Sequence, residues 1–303
     1  MAYSSRVTDR SIHTRVLANL QRSIAKGSKI QEQLSSGKQI NRPSDSPTGT
    51  VASMQLRGEL RANQQYVRNA DDGIGWLSTA DTTLSDASSV VTRARNLVLQ
   101  GLNAGANDEQ SREAIAVEID NIKDTLVGLA NTKYLDRPIF GGTMATDETK
   151  PGPFTADGTY QGDKGEINRT VGAGIQVRVD VRGTKAFGEN DDENQVFAVL
   201  QRISDGIRAG DADSVTKSLG DLDGAADLVK NTLSDVGARY NRITQMKQTA
   251  QDRVLAVTSQ LSDVEDVDLP KAIMEMQLQQ TSYQAALAAS AKVIQPSLID
   301  FLR

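Results

Sequence analysis

The sequence predicts a mainly α protein: a long antiparallel coiled-coil helical bundle with paired terminal helices and one small inserted β domain. Three patterns carry that expectation. Two long stretches repeat apolar residues every seven positions, a stretch between them alternates apolar with polar residues, and both ends carry amphipathic stripes.

The first stripe runs Leu17, Leu20, Ile24, Gly27 and Leu34, with Gln31 in the same row. LSSGKQINRPSDSPTG (Leu34 to Gly49) then stops the helix. Pro43 disfavours helical geometry at Arg42, and Ser46 before Pro47 reads as an N-cap with proline at the first helical position. The next helix places Ala70, Leu77, Leu84, Val91 and Val98 seven apart, with Gly73, Ala80, Ala87, Ala94 and Gly101 three places after each. Large and small layers alternate, so a partner helix can approach closely along the small side. After a turn at 105–108, Ile115, Ile119, Ile122, Leu126 and Leu129 continue the helical spacing.

From 135 onward glycine and proline cluster, and Ile175, Val177, Val179 and Val181 alternate with Gln176, Arg178, Asp180 and Arg182, the pattern of a half-buried strand. Asp157-Gly158 signals a hairpin turn. Helix is expected again near Asp191. Its long seam runs Leu222, Ala226, Val229, Leu233, Val236, Tyr240, Ile243, Lys247, Ala250, Val254, Val257, Leu261 and Val264, with Lys247 the one charged member. SDVEDVDLP (262–270) interrupts it, and a last helix carries Ile273, Met276, Tyr283, Leu287 and Ile294.

The layout is palindromic, as for a chain folded back on itself. It predicts a terminal module of residues 1–45 and 265–303, a coiled-coil module of 46–134 and 187–264, and an outward, autonomous β domain of 135–186. The two interruptions would be joints that let each arm set its angle independently of the long seams, with Gly37, Asn41, Pro43, Asp45 and Pro47 in one and Asp266, Asp268 and Pro270 in the other. The terminal arms have few large side chains. Alone they bury too little to offset roughly 1–2 kcal/mol of backbone entropy per residue, so they need neighbours.

Chemistry is sparse. The 303 residues include no cysteine and one histidine, His13, which removes thiolate sites, disulfides and any Ser–His or multi-histidine arrangement. The acidic run Glu189 to Glu193 lacks a calcium-loop pattern and suits a helix N-terminus instead. Gly172-Ala173-Gly174 precedes a strand and reads as a turn, not as a dinucleotide-binding motif. Asn168-Arg169-Thr170 is a chance-level match to a glycosylation acceptor. No enzyme activity, metal or cofactor is expected. Residues 1–42 hold eight basic against two acidic residues, yet lack the interleaved aromatics of a nucleic-acid surface, and the whole chain carries a net charge of −5. No apolar run approaches the ~18 residues of a membrane span, and the first residues lack a cleavable signal. Neither nucleic acid nor membrane is expected as a partner.

LSSGKQINRPSDSPTG resembles the N-terminal joint of bacterial flagellins and their hook-associated relatives, and NRPSDSP is closer to the hook-associated branch. LSDVEDVDLPKAIMEMQLQQTSYQAALAASAKVIQPSLIDFLR resembles the C-terminal part of that branch, while KYLDRPIFGGT and DGTYQGDKGEINRTVGAGIQV resemble its β insert. The resemblance implies a secreted structural subunit of the flagellar axis at the junction of hook and filament, exported unfolded through the flagellar type III channel. Its implied partners are copies of itself in a ring, a companion junction protein on the hook side, flagellin or filament-side subunits, and an export chaperone. It implies an assembly interface on the terminal helices, at Leu17, Leu20, Ile24, Leu34, Ile273, Met276, Tyr283, Leu287, Ile294, Leu298 and Phe301. The filament subunit itself and an intracellular helical scaffold or chaperone are the rival expectations.

Overall fold

The computed structural model describes residues 9–104, 108–145, 152–190 and 192–294. Among these, α1 is Asp9–Ser36, α2 Pro47–Ala104, α3 Glu109–Ala130, β1 Lys133–Tyr134, β2 Arg137–Pro138, β3 Asn168–Gly172, β4 Ile175–Arg178, α4 Gly183–Phe187, α5 Val196–Ala209, α6 Ala212–Glu265 and α7 Leu269–Ile294. The chain divides into two compact units, one of residues 1–61 with 254–303 and the other of 62–253.

In the larger unit the sevenfold repeats set the core. Ala70, Leu77, Leu84, Val91 and Val98 of α2 are buried, and so are the small residues Ala80, Ala87 and Ala94 between them. On α6, Leu222, Val229, Val236 and Ile243 are buried, while Ala226, Leu233 and Tyr240 pack half-buried beside them. The two helices run antiparallel. Arg95 Nε pairs with Asp223 at 2.6 Å and Lys247 Nζ with Asp71 at 2.7 Å, so rising numbers on α6 meet falling numbers on α2. Lys247, the charged interruption of the seam, therefore has a partner.

Gly73 marks the closest approach. A Cβ there would overlap Ile243 Cδ1 and lie 3.0 Å from Val179 Cγ1. Gly73→Val is therefore expected to destabilise the unit by about 1–3 kcal/mol, the usual penalty of overpacking, read as a lower urea midpoint.

α3 is capped by Asp108, whose carboxylate accepts from Gln110 N at 3.2 Å, and it packs on α5. α5 begins at Val196 with Gln195 as its cap, later than the return of helix near Asp191 read from the sequence. Asp191 lies outside the described residues. α4, which the local pattern did not announce, forms where Phe187 is drawn into an aromatic cluster.

The alternating run forms a shorter strand than its pattern suggests. β4 ends at Arg178 and pairs antiparallel with β3, and the turn at Ala173-Gly174 joins them. Beyond it, Val179, Val181 and Asp180 are all buried. Asp180 breaks the alternation because its carboxylate accepts from Ile167 N at 2.7 Å and from Arg178 at 2.9 and 2.6 Å. Asp157-Gly158 sits in a turn inside the Phe154–Tyr160 bridge, as expected of that dipeptide. The β1–β2 hairpin turns through Leu135 and Asp136, both at positive φ (47° and 61°).

The expectation of an autonomous β domain over 135–186 needs correction. Phe154 and Phe187 pack against Phe197 of α5 and against each other, and Phe140 packs edge-on to Phe187, with ring centroids 5.2–5.6 Å apart. One contiguous core joins them to Trp76 and Leu77 of α2 and to Ile243 of α6. The apolar interior of the inserted segment is therefore continuous with that of the helices.

Candidate assembly surface and joints

The smaller unit holds the terminal helices. α1 and α7 pack antiparallel along a seam that mixes larger apolar with small and polar side chains: Val16, Leu20, Ser23, Gly27, Ile30 and Leu34 on α1, and Ala272, Met276, Gln279, Tyr283, Ala286 and Ser290 on α7. Ile30 and Ala272 are buried, and the rest are half-buried. Gln279 Nε2 crosses the seam to Ser23, donating to its carbonyl at 2.9 Å and its hydroxyl at 2.6 Å.

This seam divides the stripe read from the sequence. Leu20, Leu34, Met276 and Tyr283 lie on it. Leu17, Ile24, Ile273 and Leu287 do not: Leu17 is 60% exposed, and Ile24, Ile273 and Leu287 are also open to solvent, together with Leu269, Met274 and Leu278 (68%). The side chain of Ile294, and Leu298 and Phe301 entirely, lie outside the described residues. Ile30 was missed because Gln31, one place on, kept the spacing from Leu17 and Ile24. A helix pair in water gains from covering such side chains, at about 25 cal/mol per Å2. Here several large apolar groups stay uncovered on the outer faces, an arrangement that suits a contact surface better than a finished exterior.

The joints are built from short-range hydrogen bonds. Arg42 to Asp45 form a turn closed by Asp45 N donating to Arg42 O at 2.9 Å, with Pro43 at its second position. The Asp45 carboxylate accepts from Arg42 N (2.9 Å) and Asn41 N (3.2 Å) and pairs with Lys29 at 3.0 Å. The Lys29 ammonium and these amides hold it below the usual carboxylate range. Asn41 Nδ2 donates to Lys38 O at 3.3 Å. Ser46 Oγ accepts from Gly49 N at 3.1 Å, capping α2 with Pro47 as its first residue. In the second joint Asp268 caps α7, its carboxylate accepting from Lys271 N at 3.1 Å, and Pro270 occupies the first turn, where an amide would lack a helical partner.

The second joint is shorter than the sequence suggests. α6 continues through Glu265, so only Asp266 to Asp268 break the helix. Glu265 is nearly buried, 3% exposed, and its Oε2 accepts from Lys38 Nζ at 2.9 Å and Arg57 Nη2 at 2.7 Å. Burial pushes this carboxyl up, but the hydrogen bonds from Arg57 and Lys38 outweigh it and hold the pKa down at about 2. Nor are the joints independent. Lys38 and Asp266 form an antiparallel bridge, Gln39 N donates to Glu265 O (2.6 Å), and Val267 N donates to Gly37 O (3.0 Å).

Among the described residues no group of three or more His, Cys, Asp or Glu is placed to hold a metal ion, and no helix is long and apolar enough to cross a membrane.

Comparison with known proteins agrees with this geometry. The chain matches the model of the bacterial flagellin N-terminal helical region over residues 9–144 and that of the C-terminal helical region over residues 219–302. Flagellar hook-associated protein 3 of Escherichia coli (strain K12) is 27% identical over 307 residues, covering 94% of this chain and 95% of that protein. Flagellin of Bacillus subtilis (strain 168) is 26% identical, covering 88% and 89% respectively. Among solved structures, Bacillus cereus FlgL superposes with a TM-score of 0.59 at 29% identity, covering 69% of this chain and 99% of that one.

Proposed function

Because the chain belongs to the bacterial flagellin family, whose N- and C-terminal models flank its β segment, we propose that it is the structural subunit that adapts hook to filament and lets flagellin polymerise onto it. The observation that carries this reading is the outer face of α1 and α7. Leu17, Ile24, Ile273, Met274, Leu278 and Leu287 are exposed on helices whose mutual seam leaves them uncovered. Neighbouring subunits in a ring would cover them, and ordering the arms would be coupled to that burial. Leu20, Leu34, Met276 and Tyr283 would support the same contact from the seam.

Export without a cleaved signal, a companion protein on the hook side, flagellin on the other and a chaperone before export complete the reading. Residues 1–45 with 265–303 would form the inner module of the assembled axis, and the β segment of 135–186 would face outward.

Complementation tests it. A strain lacking the chain should make hooks without filaments and shed flagellin into the medium, and the wild-type chain should restore filaments. A Leu17→Ser, Leu278→Ser variant should keep the thermal unfolding of residues 62–253 yet fail to restore them. Filaments on hooks of the deletion strain would overturn the reading. The flagellin reading, favoured by the B. subtilis relative, would replace it if the purified chain, seeded on filament fragments, elongated without limit.

A further inference from the structure

The two interruptions, far apart in sequence, meet around one side chain. Three segments converge on Glu265: the loop after α1 through Lys38, the start of α2 through Arg57, and the last turn of α6, which carries the carboxylate itself. Otherwise, among the described residues, the joints are joined by the two backbone hydrogen bonds that make up the Lys38–Asp266 bridge. Such bonds at an exposed edge contribute little each, because water offers similar partners. The carboxylate differs. It is nearly buried while its two cations stay about half exposed. Lys38 or Arg57 can swing into water at little penalty, but Glu265 cannot lose both without leaving a bare buried charge. The acid therefore enforces the closed arrangement, and the cations answer to it.

We propose that Glu265 is a latch that fuses the two interruptions into a single hinge, so that a disturbance in either joint is transmitted to the other and α1 and α7 are constrained as a pair. This device stands apart from the assembly reading, since it concerns one chain alone.

Gly37 offers a way to disturb the N-terminal joint through its backbone. Its direct bond to the other joint, Val267 N donating to its carbonyl at 3.0 Å, is common to the backgrounds compared, so only the part that depends on Glu265 is read. The Gly37 φ of +71° is strained for any L side chain, while no atom lies within 4 Å of an added Cβ. Gly37→Val therefore acts through the backbone of the N-terminal joint. The reporter is the amide of Lys271, held by Asp268 in the C-terminal joint. Amide exchange is read in the full-length chain as Gly37→Val, Glu265→Gln and the double variant, with Val229 and Ile243 of the larger unit as controls. In the wild-type background Gly37→Val should speed exchange at Lys271 at least about tenfold. In the Glu265→Gln background the same change should add less than about twofold. An equal factor in both backgrounds, or none in the wild type, overturns the latch. Should Glu265→Gln lose protection at the control amides, Lys38→Met replaces it, because Lys38 is the cation that ties the N-terminal joint to the carboxylate: coupling should vanish there and persist in Lys38→Arg. Coupling that survives Lys38→Met, or is lost equally in Lys38→Arg, likewise overturns the proposal.

Discussion

Phe187→Ala lowers the stability of residues 62–253 by about 4 kcal/mol, the range for removing a fully buried aromatic ring. Phe187 contacts Phe140, Phe154 and Phe197 edge-on or tilted, so its loss opens a cavity at the point where α4, the Phe154–Tyr160 bridge and α5 meet. Trp76, the one tryptophan of the chain, is buried in the same core and reports the transition by fluorescence. The urea midpoint should fall with little change in slope. A loss under about 1 kcal/mol would mean that the aromatic cluster is peripheral and that the β segment stands alone after all. By the same reasoning, excising residues 135–186 should unfold or expose the helical core.

Acid should open the smaller unit through Glu265. Unfolded, its carboxyl titrates near its ordinary value of 4.5; folded, it is held at about 2 by Arg57 and Lys38. The folded state thus binds fewer protons between those values, and stability rises with pH across that window. The contribution is fully present above the unfolded pKa, amounts to about 3 kcal/mol, and is lost as pH falls towards 2. Amide exchange at Gln39 and Val267, measured from about pH 5 downward and corrected for the intrinsic rate, should show protection falling steeply. Asp45 is also held low in this unit, so the comparison is with Glu265→Gln, in which the Glu265 share of the slope must disappear. An unchanged slope in that variant would assign acid sensitivity to other groups.

Much of this architecture was legible where the physics is local. Leu77, Leu84, Val91, Leu222, Val229 and Val236 recur at the coiled-coil period, and nothing but a buried helical seam satisfies that pattern. Ser46, Pro47 and Asp268 act where capping chemistry puts them. The terminal stripe was harder. Leu17 and Ile24 and the true seam residues Ser23 and Ile30 have the same spacing one place apart, and periodicity cannot say which face a partner covers when that face mixes apolar with small and polar residues. The aromatic cluster was illegible for another reason: Phe140, Phe154, Phe187 and Phe197 are scattered, and only tertiary packing brings them together. Glu265 was hidden in the acidic run 262–268, which reads as a solvated break until Lys38 and Arg57 arrive from the other end of the chain.

The antiparallel contact of α2 with α6 raises a question of alignment that its apolar layers cannot settle. Apart from Gly73, whose place beside Ile243 would pass to Tyr66 or Ala80, repeats of seven with alanine at Ala80, Ala87 and Ala94 would accept a slide of one heptad. The charges would not. After such a slide Lys247 would face Gln64 or Ser78 instead of Asp71, and Asp223 would face Ser88 or Leu102 instead of Arg95. Each exposed pair contributes only about 0–1 kcal/mol to stability. Between alignments otherwise near equal, two mismatched charges suffice to choose, and so Lys247, which spoils the seam as a hydrophobic surface, serves as a vernier that fixes where one long helix stops against the other.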